Sequence, residues 1–210
     1  MVVNKRSMIR PALLIATSNQ GKFAEIAALL GDVEFELRSL AQLESALPEP
    51  KETGATFLQN ARLKAHYYAQ KTGLSSLADD SGLSVPALDN FPGVHSARWT
   101  GPSDHDRVAG LLSKMEHTTA TTPISRRAFF TCAVSIASPE SGETNDFSGE
   151  VYGTLSTMPL GSEGFGYDSI FIADGQTKTM AQLGIGIKNT LSARAIALAQ
   201  VRKWLLHDRP

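Results

Sequence analysis

The start of the chain most constrains the fold, because a short apolar run there leads into a polar turn and then into helical periodicity. The apolar run covers residues 13–16, and the turn is TSNQGK at residues 17–22. In the following FAEIAALLGD the apolar residues recur at helical spacing and stop at Gly31. Residues 33–37 then alternate between apolar and charged side chains, as in a half-buried strand. The first 37 residues therefore predict strand, turn, helix and strand.

The rest of the chain continues this mixture of helices and strands. Helical periodicity predicts three further helices, over residues 56–71, 104–115 and 191–206. Strands are predicted at residues 77–78, 85–88, 128–137, 146–156 and 170–172. The two long strands are expected to form an antiparallel pair joined by the turn around Ser141 and Gly142. The pattern predicts an α/β or α+β fold with long strands and excludes an all-helical bundle.

Composition narrows the class of protein further. A chain of 210 residues, 42% of them hydrophobic, can bury a core without disulfides. Its single cysteine, Cys132, lies in an apolar stretch, so we interpret it as a small buried side chain. The net charge of −1 and the lack of a basic block argue against a stable nucleic-acid partner. No apolar run is long enough to span a membrane, and we expect a cytoplasmic protein.

Two adjacent carboxylates, Asp79 and Asp80, follow an apolar segment and precede Ser81 and Gly82. We expect them at the end of a strand, facing a crevice. A divalent cation that prefers oxygen ligands is the usual compensation for clustered carboxylates. A turn in which one aspartate caps the chain is the alternative, and the residues by themselves leave both open.

The turn at residues 17–22 fits a phosphate site, because N–H groups at a helix N-terminus favour anions and Lys22 adds a charge. It is not a Walker A loop, so an ordinary N-cap by Ser18 or Asn19 is the alternative. Glu52 precedes the second predicted helix, and Lys64 shares a face of that helix with Asn60. Both also fit ordinary surface side chains.

A glycine-rich segment, GSEGFGYD at residues 161–168, combines backbone freedom with two aromatic rings. Glycines around Phe165 allow a flat ring to approach closely, which suits stacking on a nucleobase. A glycine turn with two core aromatic residues explains the segment equally well. Lys188 and Arg194, at the entrance of the last helix, face either the same crevice or solvent.

The chain resembles a known family through seven segments in order: ATSNQGKFAEI, ETGATFLQNARLKA, LADDSGLSV, PGVHSARWTG, GSEGFGYDSIF, KTMAQL and KNTLSAR. These are similar to the inosine/xanthosine triphosphate pyrophosphatases, the Ham1-like enzymes that remove deaminated purine nucleotides from the nucleotide pool. The resemblance implies an elongated mixed sheet with flanking helices in two lobes around a central nucleotide cleft. It places a single domain at residues 13–206, with an N-terminal extension at 1–12 and a tail at 207–210.

The resemblance also implies a reaction and roles for particular residues. The family hydrolyses ITP, dITP and XTP to the monophosphate and pyrophosphate with Mg²⁺, as a homodimer. Asp80 is expected to activate water and, with Glu52, to bind the metal. The expected phosphate contacts are Thr17, Ser18, Asn19, Gln20, Gly21, Lys22, Lys64 and Ser81. Phe165 is expected to stack on the purine in a pocket lined by Gly166, Tyr167 and Asp168. Lys188 and Arg194 complete the nucleotide site, and Arg194 has the donors to pair with a 6-keto oxygen.

The chain departs from the family pattern at four positions. Ala193 stands where the family has histidine in Ser-His-Arg, and Ser169 stands where proline is usual. Gln59 and Gln182 each replace a glutamate. Two other functions stay open: a Maf-like pyrophosphatase of modified pyrimidine or other nucleotides, which has a related architecture, and a nucleotide-binding protein without catalysis, which the altered Ser-Ala-Arg motif suggests. The order of ADDSG and GFGYD argues against the first of these.

The missing histidine predicts weaker or broader base selection. A single neutral hydrogen bond to the base contributes about 1 kcal/mol, so Ala193→His should sharpen selection several-fold. The measurement is kcat/KM for ITP, XTP, dITP, GTP and ATP in the natural chain and the variant. Equal selectivity in the two proteins would refute this hypothesis.

Overall fold

The computed structural model describes residues 10–118 and 124–207, and these form a mixed α/β fold. In chain order the elements are β1 Ala12–Ile15, α1 Gln20–Leu30, β2 Glu36–Ser39, α2 Phe57–Thr72, β3 Ser75–Val85, β4 Phe91–Pro92, α3 Asp104–Glu116, β5 Arg127–Ala137, β6 Thr144–Leu155, β7 Phe171–Ala173, α4 Met180–Leu183, α5 Ile185–Leu191 and α6 Ala193–His207. None of the helices in the described ranges has the length and apolar character needed to cross a membrane.

The sheet is parallel at one edge and antiparallel over the rest of its width. Its strand order is β2-β1-β3-β5-β6-β7, and β4 pairs with the last residues of β3. The pairs β1–β2 and β1–β3 are parallel, whereas β3–β5, β5–β6 and β6–β7 are antiparallel. Strands β3, β5 and β6 have 11 or 12 residues each and therefore connect the two ends of the molecule.

Alternation along β1 shows how helices cover both faces of the sheet. Leu13 and Ile15 are buried with side chains of α1 and α6, whereas Leu14 is buried with side chains of α2. A separate core lies at the far end of the long strands, where Leu83 and Phe171 pack with Leu111 of α3. The predicted mixed sheet with helices in two lobes is therefore confirmed.

Two of the four departures from the family pattern preserve a local structure. Gln59 accepts hydrogen bonds from the backbone N–H of Thr56, while the Thr56 hydroxyl accepts from the N–H of Gln59. Gln182 forms the same capping box with Thr179 at the start of α4. An amide oxygen accepts these hydrogen bonds as a carboxylate does, so both replacements keep the helix start.

The prediction for the acidic pair was wrong in one respect, because the pair does not end a strand. Residues 77–78 belong to the 11-residue strand β3, which continues through Asp79 and Asp80, and residues 86–88 form a 3-10 turn instead of a strand. Asp79 pairs with Val134 of β5 and Asp80 with Ala133. Backbone pairing with β5 carries the strand through the polar side chains, which propensity alone does not anticipate.

The remaining predicted elements are confirmed with small shifts. The strand expected at residues 33–37 begins only at Glu36, because Val33 is buried against the end of α1. The three further helices, the antiparallel pair β5–β6 and the strand near residue 171 form as expected. The domain limits stay a prediction, and residues 1–9, 119–123 and 208–210 lie outside the described residues.

Close packing between β6 and α6 yields a stability prediction. A Cβ at Gly149 would lie 2.3 Å from the carbonyl oxygen of Ala193, so Gly149→Ala must push α6 away from the sheet. We expect the free energy of unfolding to fall by about 1–3 kcal/mol, measured by urea denaturation. Gly186→Ala is the matched control, because nothing lies within 4 Å of its added Cβ and the residue is helical. Equal stability of the two variants would contradict the packing argument.

Candidate functional site

A cavity of about 670 Å³ lies where the long strands meet the turn before α1 and the loop after β6. It gathers residues that are far apart in the sequence. The predicted site residues that line it are Thr17, Ser18, Asn19, Lys22, Glu52, Lys64, Asp80, Ser81, Phe165, Gly166, Tyr167, Asp168, Lys188 and Arg194. Gln20 and Gly21 do not line it. Gly21 instead packs against the Phe165 ring, since a Cβ there would lie 3.0 Å from Phe165 Cδ1.

Strand β3 sends its two adjacent carboxylates to opposite faces of the sheet, because successive side chains of a strand alternate. Asp80 points toward α2, where Asn60 and Lys64 contact it. Asp79 points toward α1 and α6, where Lys22 and Arg194 contact it. The doublet is therefore not one acidic site but two separate carboxylates with different partners.

On the α2 face, Asp80 and Glu52 share one lysine. Lys64 Nζ lies 2.6 Å from Glu52 Oε1 and 3.5 Å from Asp80 Oδ1. Asn60 donates to Asp80 Oδ2 over 3.1 Å and accepts from the N–H of Gly54 over 2.8 Å, which ties the loop carrying Glu52 to α2. Arg98 forms an ion pair with the second oxygen of Glu52.

The pKa values of these two carboxylates move in opposite directions. Burial raises the pKa of Asp80, and although Lys64 opposes the shift, the nearby charge of Glu52 adds to it. Burial would also raise the pKa of Glu52, but Lys64 and Arg98 outweigh it and hold that pKa below its ordinary value. The raised pKa makes Asp80 a stronger base than an ordinary aspartate, and such a perturbed carboxyl in a cleft is typical of functional sites.

On the opposite face, Asp79 is the anchor of two cations. Its Oδ2 lies 2.9 Å from Lys22 Nζ and 3.1 Å from Arg194 Nη2. Burial would raise the pKa of Asp79, but Lys22, Arg194 and Lys64 hold it far below the usual range of an aspartate. Asp79 is thus ionised and serves as the counter-ion that holds Lys22 and Arg194, a role that the sequence left open.

Glu25 of α1 is a site residue that sequence reasoning missed. It is 2% exposed, its Oε1 lies 2.8 Å from Lys188 Nζ, and its other oxygen pairs with Arg194. The sequence FAEIAALL did contain a signal for a buried glutamate, because Glu25 directly precedes the buried Ile26 on α1. Together with Asp79 and Asp168, Glu25 makes a continuous buried cluster with three cations, Lys22, Lys188 and Arg194.

Cations and glycines surround the Phe165 ring. Lys188 Nζ lies 4.0 Å from the ring centroid and Arg194 Cζ 5.6 Å, both within the range of cation–π attraction. Asp168 accepts from the N–H of Phe165 over 2.9 Å, and Asp104 accepts from the N–H of Gly166 over 2.6 Å. Burial raises the pKa of Asp168 despite the opposing charge of Lys188. The loop that carries Phe165 is therefore held at both sides of the ring.

Some predicted site residues in the cavity wall also form hydrogen bonds that stabilise the fold. The Tyr167 hydroxyl accepts from Trp99 Nε1 over 2.7 Å and donates to the carbonyl of Ser96 over 2.9 Å, so its buried ring fits the core-aromatic alternative. Asn19 caps α1 by accepting from the N–H of Lys22 over 3.0 Å. Cys132 is 1% exposed, which confirms the predicted buried side chain, and burial raises the pKa of its thiol to about 12.

Arg194 and its neighbour Ala193 bear on base selection. The guanidinium of Arg194 already donates to Asp79, Glu25 and, over 3.0 Å, to Ser81. Its pairing with a 6-keto oxygen therefore stays a prediction that competes with these contacts. Ala193 is buried in the first turn of α6 and lines the cavity, at the position where the family pattern has histidine.

Comparisons with known proteins agree over nearly the whole chain. The model of a family described as the Ham1 family matches residues 13–204. A dITP/XTP pyrophosphatase of Zymomonas mobilis is 43% identical over 199 residues, covering 94% of this chain and 93% of that protein. One from Rhodospirillum centenum is 45% identical, covering 90% and 92%. The solved HAM1 protein of Coxiella burnetii has a TM-score of 0.84 and 35% identity, covering 93% and 98%.

The buried cluster predicts a large effect of removing one carboxylate. Glu25→Gln removes a buried counter-charge that Lys188 and Arg194 share and leaves only Asp168 and Asp79 to balance the buried cations, so we expect the free energy of unfolding to fall by about 3–5 kcal/mol. Thermal and urea denaturation measure this loss. Glu36→Gln is the matched control, because Glu36 forms an exposed ion pair with Arg38 and should leave stability nearly unchanged. Similar losses in both variants would contradict the importance of the cluster.

Proposed function

The chain belongs to the Ham1 family, and on this premise we propose that it is a nucleoside triphosphate pyrophosphohydrolase acting on deaminated purine nucleotides. It converts ITP, dITP and XTP to the monophosphate and pyrophosphate and so cleanses the nucleotide pool. The relatives named dITP/XTP pyrophosphatase support this proposal. The observation that carries it is the opposite placement of Asp79 and Asp80 by β3. Asp80 lines the cavity that also holds Phe165, whereas Asp79 lies behind the wall and holds Lys22 and Arg194, which line it.

The charges and rings of the cavity suggest how the substrate lies. The purine stacks on Phe165, beside Gly166 and the cations Lys188 and Arg194. The triphosphate extends toward Lys22 and Lys64, together with the turn at residues 17–22 and the Ser81 hydroxyl. Lys22 and Lys64 lie at opposite faces of β3, so together they suit a polyphosphate that crosses the strand. A carboxylate already holds each lysine, so both are oriented before the substrate binds.

We propose Mg²⁺ as the cofactor, with Glu52 and Asp80 as its protein ligands. The two carboxylates fit, because both lie in contact with the single ammonium of Lys64 and are therefore close together. Within residues 10–118 and 124–207 no three His, Cys, Asp or Glu side chains form a metal-binding group. Mg²⁺ suits such a site, since it usually takes one or two carboxylates plus substrate phosphates and water. When bound, the ion neutralises charge on the phosphate oxygens.

The protein side chains supply the rest of the chemistry. Asp80 accepts a proton from the water that attacks phosphorus, and its raised pKa makes it a better base than an exposed aspartate. The bond between the bridging oxygen and the α-phosphorus breaks, and the electron pair leaves with pyrophosphate. Lys22 and Lys64 stabilise the charge that builds on the leaving group, because Asp79 and Glu52 hold them in place beforehand.

Two properties that the family resemblance implies are also proposed here, a homodimer and a cytoplasmic location. Light scattering of the purified protein measures the first, and fractionation of the cell of origin measures the second. A monomer at micromolar concentration would refute the dimer without affecting the proposed reaction.

Asp80→Asn tests the proposed base. The variant keeps the shape and the hydrogen bond to Asn60 but loses the proton acceptor, so we expect pyrophosphate release from ITP to fall by at least ~100-fold. Binding of the non-hydrolysable α,β-methylene analogue of ITP should remain measurable by calorimetry. Asp174→Asn is the control, because Asp174 pairs with Arg127 on an exposed surface.

Unchanged turnover in Asp80→Asn would refute Asp80 as the base.

A panel of eight nucleotides separates the remaining alternatives for the function of the chain. A natural chain that binds ITP but releases no pyrophosphate with Mg²⁺ would be a binding protein without catalysis. Preference for modified pyrimidine nucleotides would favour the Maf-like alternative.

A further inference from the structure

Glu52 is held by two cations of different character. Lys64, on Oε1, is nearly buried and also lies 3.5 Å from Asp80. Arg98, on the other oxygen, has a side chain that is 43% exposed, compared with 14% for Glu52. Arg98 therefore reaches solvent and can leave Glu52, whereas Lys64 cannot leave without separating its buried ammonium from Asp80.

The backbone that carries Arg98 is held firmly against β3. The Ser96 hydroxyl donates to the carbonyl of Gly93 over 2.6 Å and accepts from the N–H of Leu83 over 2.9 Å. Gly82 permits this approach, since a Cβ there would lie 2.4 Å from Ser96 Oγ. On the other side of Arg98, Trp99 donates to Tyr167. Any movement at this position is therefore confined to the side chain of Arg98.

Three other cations of the cavity wall, Arg107, Lys188 and Arg194, are more buried than Arg98 and have more partners. The guanidinium of Arg107 is only 14% exposed and donates to Asp104 and to the backbone carbonyl of Pro102 over 2.9 Å. Lys188 and Arg194 belong to the buried cluster around Glu25. Arg98 makes one further hydrogen bond, over 3.1 Å to the carbonyl of Val94, and otherwise depends on Glu52.

We propose that Arg98 binds the substrate's phosphates by exchanging partners, an inference that rests on the proposed function. Arg98 neutralises Glu52 until Mg²⁺ and the triphosphate arrive, and the metal then takes the carboxylate oxygen that Arg98 gives up. The released guanidinium turns to the phosphate oxygens, which it matches in charge and in its forked geometry. The exchange keeps Glu52 paired with a cation throughout and ties metal binding to nucleotide binding.

The experiment measures metal and nucleotide binding separately in Arg98→Ala. Without nucleotide, Mn²⁺ as a spectroscopic substitute should bind about fivefold more tightly by electron paramagnetic resonance, because a competing charge is gone. With Mg²⁺ present, the α,β-methylene analogue of ITP should bind roughly tenfold more weakly by calorimetry. Opposite signs in the two measurements distinguish an exchange from a structural role, which would weaken both.

Two matched variants complete the design. Arg98→Lys keeps the charge, so it should return Mn²⁺ affinity to that of the natural chain and restore part of the analogue affinity. Arg202→Ala removes an exposed guanidinium paired with Asp32, outside the cavity lining, and should change neither.

The proposal is overturned if Arg98→Ala leaves Mn²⁺ affinity unchanged or weaker, or if the analogue binds it as tightly as it binds the natural chain. A natural chain that binds neither probe also overturns it. Pyrophosphate release from ITP by the natural chain is measured in parallel. Its absence would defeat the proposed reaction, while the two binding measurements would still decide whether Arg98 exchanges partners.

Discussion

The site depends on the backbone pairing of β3 with β5 through the two adjacent aspartates. Because the ladder of hydrogen bonds runs unbroken at Asp79 and Asp80, the strand stays extended and its side chains alternate. Had the strand ended at the pair, as the sequence suggested, the two carboxylates could have shared one cation. Because the ladder is continuous, Asp79 faces and holds Lys22 and Arg194, whereas Asp80 faces Glu52 and Lys64.

Burying so many charges is tolerable because their signs balance locally. On the α1 and α6 face, three carboxylates, Asp79, Glu25 and Asp168, meet three cations, Lys22, Lys188 and Arg194. Such a network adds little net stability compared with apolar packing, but it leaves the cations oriented before any substrate arrives. The opposite face contains the pair Glu52 and Arg98, in which Arg98 is 43% exposed, and this is the pair that we propose to exchange partners.

Much of the architecture was predictable from local patterns. Helical periodicity gave α2 and α3 to within a residue, since Thr56 and Ser103 supply caps and Gly73 ends α2 with a positive φ. Fourteen of the sixteen predicted site residues line the cavity, because the motifs around Lys22, Asp80 and Phe165 match a family pattern, whereas wall residues such as Arg98 and Arg107 were not predicted. What local patterns could not give was the continuous strand β3, because its extension depends on a partner strand some fifty residues later.

The sequence by itself determined the longer helices α1, α2, α3 and α6, the long antiparallel pair and the residue types available for chemistry, because periodicity and capping are local properties of the chain. The short helices α4 and α5 were not predicted. Only the tertiary structure decided which partner each charge has. Glu25 pairs with Arg194 because α1 packs beside α6. Tyr167 has a structural contact because Trp99 lies within hydrogen-bonding distance of its hydroxyl. Ion pairs join residues separated by up to 170 positions, and no local pattern encodes such a contact.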